Sequence, residues 1–147
     1  MKLDALIDWY STLTPETIPG IRGIYHDKAR FRDPFNDVRG HKAIAAIFEH
    51  MFDTTESPVF CVTSKQQEGA TAWVSWTFEF GLRGKALSIE GVSRLDFGDD
   101  GRVIDHRDYW DATDLFIQIP LLGSLLRYLK SRLSTPQSDA EARKVIS

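Results

Sequence analysis

The chain has 147 residues, of which 42% are hydrophobic and 27% charged, and its formal net charge is −3. This size and composition predict one globular domain around one core. The slightly acidic balance argues against a nucleic-acid-binding module, which normally carries a basic patch. A single cysteine excludes an intrachain disulfide and a cysteine-based metal site. No apolar run reaches the roughly 18 residues of a membrane span, and we expect a cytoplasmic protein.

The N-terminal part of the chain predicts two helices. Apolar residues recur at helical spacing over Lys2–Leu13, and this spacing places Tyr10 on the buried face. Thr14 can cap a second helix, and Pro15 suits its first position. We expect this second helix to run to about Tyr25 and to be irregular around Pro19-Gly20.

A short strand and a third helix follow. The strand covers residues 29–33 and ends at Pro34. From Gly40 onward, apolar residues form a stripe along one helix face that includes Phe48. The hydrophobic period then changes from 3.6 to 2, which predicts strands over residues 59–65 and 71–80.

Two further strands, within residues 86–111, are joined at Gly98-Asp99-Asp100-Gly101. Asp-Gly between alternating apolar runs is a strong hairpin signal. A loop of two or four residues would place two sets of side chains on the same sheet face, whereas a three-residue loop would turn one strand over. The two sets are Leu87, Ile89, Ser93, Leu95 and Phe97 from the first strand and Ile104, His106, Asp108 and Trp110 from the second. A mostly apolar face would then carry a hydroxyl, an imidazole and a carboxylate.

The C-terminal part predicts one more helix, from about Pro120 to Leu133. Its apolar face is too broad for a solvated helix and could be covered by the mouth of a pocket, a partner subunit or a membrane surface. Stable membrane binding is the least favoured, because the segment holds only three basic residues, and we expect the helix to form a wall of the pocket. Gly123 would allow close approach to another backbone. We expect residues 1–133 to form a single domain and the polar residues 134–147 to be disordered.

Helices followed by an antiparallel sheet predict an α+β fold with the helices on one sheet face. The order of elements resembles the NTF2-like superfamily, in particular its ketosteroid isomerase and SnoaL-like polyketide cyclase branch. The resemblance spans roughly residues 3–113 and is carried by Tyr-His-Asp-Lys-Ala-Arg-Phe-Arg-Asp-Pro-Phe at 25–35, the helix after Gly40, and the closing hairpin that ends in Tyr109-Trp110. It implies a cone with a curved, largely antiparallel sheet, an interior site for a small molecule, and a homodimer.

The resemblance also implies candidate catalytic residues. Asp33, in Arg-Asp-Pro, matches the base of ketosteroid isomerase, and Tyr10 matches its oxyanion-hole tyrosine. The second oxyanion donor of the isomerase, an aspartic acid, corresponds to Ser93, and a supporting tyrosine corresponds to Phe48. Two of the four positions are therefore kept, and we expect Asp33 to face the interior within reach of Tyr10.

His106 and Asp108 fall where SnoaL-like cyclases and limonene-type epoxide hydrolases place working polar groups. The hydrolases also need an Arg-x-Asp pair on an earlier strand, and residues 76–80 lack it. Epoxide hydrolysis is thus the less favoured reaction. A metal site would need a third ligand beside these two residues, so none is predicted.

The leading hypothesis is an enzyme that transfers a proton on a small apolar carbonyl compound, with no metal or other cofactor. Its catalytic residues would be Asp33, Tyr10, His106 and Asp108, and its substrate-binding residues Ser93, Phe48, Trp76, Phe78 and Trp110. The alternative is a non-catalytic domain that binds an apolar ligand or a protein. Structural roles stay open for the same residues: Asp33 as a strand-ending turn residue, Tyr10 as core, and His106 with Asp108 as a packing pair.

Overall fold

A curved, unclosed sheet of six strands, in the order β2-β1-β6-β5-β4-β3, forms the framework of the protein. The strands are β1 Tyr25–Arg32, β2 Asp37–Arg39, β3 Glu56–Glu68, β4 Thr71–Leu82, β5 Lys85–Phe97 and β6 Val103–Tyr109. Neighbouring strands are antiparallel except β1 and β6, which are parallel. The predicted α+β class is confirmed.

The computed structural model describes residues 3–118 and 122–134, without the side chain of Leu122. The helices are α1 Leu3–Ser11, a 3-10 helix Pro15–Gly20, α2 Ile21–Ile24, α3 His41–Thr54, α4 Ala112–Phe116 and α5 Leu122–Leu133. Residues up to Ala112 form one unit and those from Thr113 a second. No helix within the described ranges is long and apolar enough to cross a membrane.

The core of the first unit lies between the N-terminal helices and one face of the sheet. The apolar stripes of α1 and α3 supply Leu6 and Ile44, and β5 supplies Leu95, all at most 2% exposed. Each such side chain stabilises the fold by about 1.5–3 kcal/mol relative to an exposed position. This packing holds α1 against the sheet and so determines where its last turn, with Tyr10, points.

The second predicted helix is confirmed as helical to Ile24, with the expected irregularity around Pro19-Gly20, where a 3-10 helix gives way to α2. Pro19 lies inside the 3-10 helix, and α2 has only four residues, ending at Ile24 because Tyr25 has extended backbone angles (φ −106°, ψ 141°). Tyr25 therefore begins β1 instead of ending a helix, and its side chain is fully buried. The strand predicted over residues 29–33 thus starts four residues earlier than expected.

The hairpin of β5 and β6 has the predicted inward register along most of its length. Ser93 pairs with Asp108, and Leu95 pairs with His106. Near the loop the prediction is wrong for Ile104, which is 43% exposed, while Val103 is buried. The register shifts between Asp96 and Phe97, so β6 carries one extra residue there, and such a bulge reverses the alternation of side chains.

The second unit contains α5, which lies within the predicted helix 120–133. A Cβ on Gly123 would lie only 2.3 Å from the carbonyl oxygen of Ile117, so the expected close backbone approach is confirmed. Arg127 donates to the same carbonyl oxygen at 2.8 Å. Four large apolar side chains of α5 are exposed: Leu125, Tyr128, Leu129 and Leu133. A role of this helix as the wall of a pocket stays a prediction. The predicted helix start at Pro120 and the predicted tail after residue 134 lie outside the described residues.

Candidate active site

An apolar cavity in the first unit is closed on one side by a row of polar groups. The volume of the cavity, including its open mouth, is about 430 Å³. The lining consists of Leu6, Ile7, Tyr10, Phe48, Phe60, Val62, Val74, Trp76, Ser93, Leu95, His106 and Asp108. The polar members come from the last turn of α1 and from the three adjacent strands β4, β5 and β6.

The centre of the polar row is His106, which is 1% exposed. Its Nε2 lies 2.5 Å from Oδ1 of Asp108. Its Nδ1 lies 2.6 Å from the hydroxyl of Tyr25 and 3.2 Å from that of Tyr10. The two tyrosine hydroxyls are also hydrogen-bonded to each other. Both ring nitrogens of the histidine are therefore engaged.

Asp108 is held from its other side by a second chain of donors. The Ser93 hydroxyl donates to Oδ1 of Asp108 at 2.5 Å, and the indole N–H of Trp76 donates to the Ser93 oxygen at 2.8 Å. A carboxylate oxygen accepts, so the tautomer of His106 with its proton on Nε2 also donates to Oδ1. Both described donors thus reach Oδ1, and Oδ2 receives neither of them.

A glycine makes room for the tryptophan in this chain. Gly91 pairs with Trp76 across β4 and β5, and a Cβ at Gly91 would lie 2.4 Å from the Cη2 atom of the indole. Real Cβ atoms do not approach that closely. Gly91 therefore leaves room for the indole over β5, where its N–H donates to Ser93.

The two tyrosines remain protonated. Burial raises the pKa of the Tyr10 hydroxyl well above its ordinary value of 10.0, and the neighbouring Tyr25 and Asp108 add to the rise. Burial likewise raises the pKa of Tyr25, with a smaller opposing effect from its bond to Tyr10. Near neutral pH both phenols are hydrogen-bond donors, and of the two only Tyr10 lines the cavity.

Six of the nine predicted site residues line this cavity together. They are Tyr10, Phe48, Trp76, Ser93, His106 and Asp108. Their convergence follows from the inward register of the hairpin and from the buried stripes of α1 and α3.

Asp33 is placed elsewhere, and the structure does not show the expected proximity to Tyr10. Its Oδ1 accepts hydrogen bonds from the backbone N–H groups of Phe35 and Asn36, both at 2.7 Å, and from the side-chain amide of Asn36 at 3.0 Å. It lines a separate, open groove. Its carboxylate closes the turn after β1, as Asp before Pro often does.

Phe78 and Trp110 are also outside the lining. Phe78 stacks between Phe60 and Phe80, with ring centroids 4.5 and 4.8 Å away. Trp110 follows the end of β6, packs its ring edge-on against Phe35 and lines the groove that contains Asp33. The structure thus places neither residue in the lining of the cavity, where both were predicted.

Tyr25 is a site residue that the sequence reasoning missed. The interpretation of residues 15–25 as one helix put it at a helix end. Buried Ala29 and Phe31 are in phase with Tyr25 under period-two alternation, a signal that could have extended the strand back to residue 25. Phe31 also packs against His106, with ring centroids 4.6 Å apart.

The order of contacts limits what chemistry this row can perform. In a serine nucleophile triad the histidine lies between serine and aspartate. Here Asp108 lies between His106 and Ser93, so the imidazole is not placed to take a proton from the serine hydroxyl. Among the described residues, no three His, Cys, Asp or Glu side chains are grouped as metal ligands would be. The arrangement offers one carboxylate base and one phenol donor facing the same apolar space.

Solved structures of other proteins share this architecture. An NTF2-like protein of unknown function from Burkholderia pseudomallei is 16% identical, with a TM-score of 0.71 over 81% of this chain and 97% of its own. A Jannaschia sp. CCS1 protein assigned to the SnoaL-like polyketide cyclases is 15% identical, with a TM-score of 0.72 over 82% and 92%. An M. tuberculosis epoxide hydrolase of the LEH-like type is 19% identical, with a TM-score of 0.65 over 78% and 85%. At these identities the likeness shows the fold alone, which is NTF2-like.

The family is shown by the sequence itself. The profile of the SnoaL-like domain matches residues 6–106, more than half of the chain. The protein belongs to the SnoaL-like family of the NTF2-like fold, as its resemblance predicted. No curated protein matches the chain.

Proposed function

We propose that the protein is a cofactor-free enzyme that moves a proton on a small, apolar, carbonyl-bearing molecule bound in the cavity. The observation that carries the proposal is the one carboxylate in the lining, that of Asp108, which two donors hold by one oxygen in the polar wall of a mostly apolar cavity. Such a group is a suitable general base if a weakly acidic C–H lies beside it. Of the two aspartates considered from the sequence, Asp108 is the one that faces this space.

The reaction would begin with removal of a proton from the carbon next to the carbonyl. Oδ2 of Asp108 takes this proton, the C–H electron pair becomes the new C=C bond, and the carbonyl oxygen becomes an oxyanion. Tyr10 stabilises the oxyanion with its hydroxyl, since a preorganised donor in a dry site favours developing charge. In a substrate with a C=C bond beyond that carbon, the enolate extends over this bond, and Asp108 returns the same proton to its far carbon, which restores the carbonyl and leaves the conjugated isomer.

His106 and Ser93 would act on the base and not on the substrate directly. Both donate to Oδ1 of Asp108, so they fix the orientation of the carboxylate and leave Oδ2 for the substrate. The apolar lining would select the substrate by its shape and exclude water. Catalysis by proton transfer near neutral pH needs both features.

The alternative is a domain that binds an apolar ligand without converting it. The two are separated by first identifying the small molecule that co-purifies with the protein by native mass spectrometry. That molecule and a panel of cyclic enones and 1,3-diketones are then incubated with wild type and with Asp108→Asn. An enzyme converts at least one compound, and the variant binds it with similar affinity but without turnover. Tight binding with no conversion by the wild type would support the binding domain instead.

We propose further that the protein is a homodimer through the outer face of its sheet. Exposed aromatic residues on that face, Trp73 on β4 and Tyr109 on β6, support this proposal, because a second copy would cover them. Analytical ultracentrifugation of the wild type tests it, with a mass of twice 16.7 kDa expected.

A further inference from the structure

One buried hydroxyl touches two members of the candidate active site and has no part in the reaction described above. Tyr25 is completely buried at the start of β1 and does not line the cavity, so it cannot meet a substrate. Its hydroxyl nevertheless contacts both Nδ1 of His106 and the hydroxyl of Tyr10. Its ring lies almost parallel to the imidazole, at an interplanar angle of 4°.

The direction of these hydrogen bonds follows from counting donors. A neutral imidazole has one N–H and one acceptor nitrogen. With His106 neutral and its Nε2–H donating to Asp108, Nδ1 accepts a hydrogen bond from a hydroxyl. Tyr25 at 2.6 Å is the nearer donor and Tyr10 at 3.2 Å the farther one. A phenol has only one O–H to donate, so Tyr25 donates its hydrogen bond to Nδ1 of His106 and accepts one from the hydroxyl of Tyr10.

We propose that Tyr25 is a positioning residue that supplies the donor for His106 and thereby releases Tyr10 to act on the substrate. When a carbonyl oxygen enters the cavity, Tyr10 can turn its O–H toward it, and Nδ1 of His106 keeps its partner. Without the Tyr25 hydroxyl, Tyr10 is the neighbouring group that can satisfy Nδ1, and its proton is drawn away from the cavity. The inference rests on the proposed function only for the role of Tyr10 toward substrate.

The kinetic test uses Tyr25→Phe, which keeps the ring and removes only the hydroxyl. With a compound that the wild type converts, we expect kcat to fall about tenfold, because the oxyanion loses its donor, while KM changes less than twofold. The double variant Tyr10→Phe/Tyr25→Phe should be no slower than Tyr10→Phe by more than about twofold. A loss of kcat in the double variant that equals the product of the two single-variant losses would overturn the proposal. Tyr109→Phe on the outer face is the matched control, with unchanged rates expected.

The structural test needs no substrate and therefore separates this inference from the proposed function. Protein labelled with ¹⁵N-histidine is studied by NMR, and the signals of His106 among the four histidines are identified by their loss in His106→Gln. The wild type should show a protonated Nε2 and a hydrogen-bonded, unprotonated Nδ1. Tyr25→Phe should shift the Nδ1 resonance, whereas Tyr10→Phe should leave it in place.

Two results would overturn the inference whatever the enzyme assays show. One is protonation of both nitrogens of His106 in the wild type. The other is an Nδ1 resonance that responds to Tyr10→Phe and not to Tyr25→Phe. The wild-type and Tyr10→Phe spectra keep the test decisive even if Tyr25→Phe fails to fold. Absence of turnover in the wild type would instead refute the proposed function and leave the NMR result standing.

Discussion

Replacing Gly91 with alanine should disturb the candidate active site by displacing the indole of Trp76. The added Cβ would lie 2.4, 2.5 and 2.9 Å from three atoms of the Trp76 six-membered ring, against the roughly 3.5–4.0 Å of a favourable carbon contact. The indole must therefore move by about 1 Å or more. Overpacking of this kind costs about 1–3 kcal/mol. Loss of the 2.8 Å bond from Trp76 to Ser93 adds about 1 kcal/mol.

The expected total for Gly91→Ala is a loss of about 2–4 kcal/mol in the free energy of unfolding, measured by urea denaturation. For a chain of this length the melting temperature should fall by about 5–15 °C. Gly23→Ala is the matched control, since a Cβ there meets nothing within 4 Å. It should be neutral or slightly stabilising, because alanine favours a helix over glycine.

A double-mutant cycle tests the stated cause. Trp76→Phe removes the ring atoms that the new Cβ would meet, so in that background Gly91→Ala should cost less than about 1 kcal/mol. A Gly91→Ala protein as stable as the wild type would refute the packing argument. An equal loss in both backgrounds would show that the strain arises elsewhere than at Trp76.

Three other predictions concern pH, the turn after β1 and the sheet surface. Because burial raises the pKa of Tyr10 and Tyr25, only the unfolded chain loses the two phenol protons just above pH 10. The two tyrosines therefore leave the unfolding free energy unchanged below pH 10, and above it each lowers that free energy by up to about 1.4 kcal/mol per pH unit. Tyr25→Phe should show a shallower fall in urea denaturation measured between about pH 10 and 11.5. Asp33→Ala should lower the unfolding free energy by about 1–2 kcal/mol in the same assay but leave the turnover number unchanged, whereas lost turnover would return Asp33 to the active site. Trp73→Lys should convert the expected dimer to a monomer in analytical ultracentrifugation, and an unchanged mass would remove this face as the interface.

The sequence predicted the hairpin well because its signals are local. The Asp-Gly turn and the period-two alternation were sufficient to place Ser93, His106 and Asp108 on one face, and the register confirms it. The exception is Ile104, where one extra residue in β6 reverses the alternation. A bulge depends on how two strands pair, so neither strand alone reveals it.

The position of Asp33 could not be obtained from its motif. Its match to a catalytic aspartate rested on order along the chain. Its environment, however, depends on Asn36, whose side-chain amide donates to both carboxylate oxygens and holds them in the turn. Tyr25 was missed for the related reason that its partners are distant: His106 is 81 residues away in sequence. Contacts of that range follow from the parallel pairing of β1 with β6, which local periodicity does not encode.

The central claim, that Asp108 removes a proton from a carbonyl compound in the cavity, is tested most directly by deuterium exchange. A ketone or 1,3-diketone that binds the wild type is incubated with enzyme in D₂O, and the loss of its α-proton signal is followed by NMR. We expect exchange well above the uncatalysed rate with the wild type. We also expect a loss of about 10²–10⁴-fold in Asp108→Asn, with binding retained. Exchange of the α-proton at the wild-type rate in Asp108→Asn would contradict the account. So would a compound that binds the wild type but whose α-proton the wild type does not exchange.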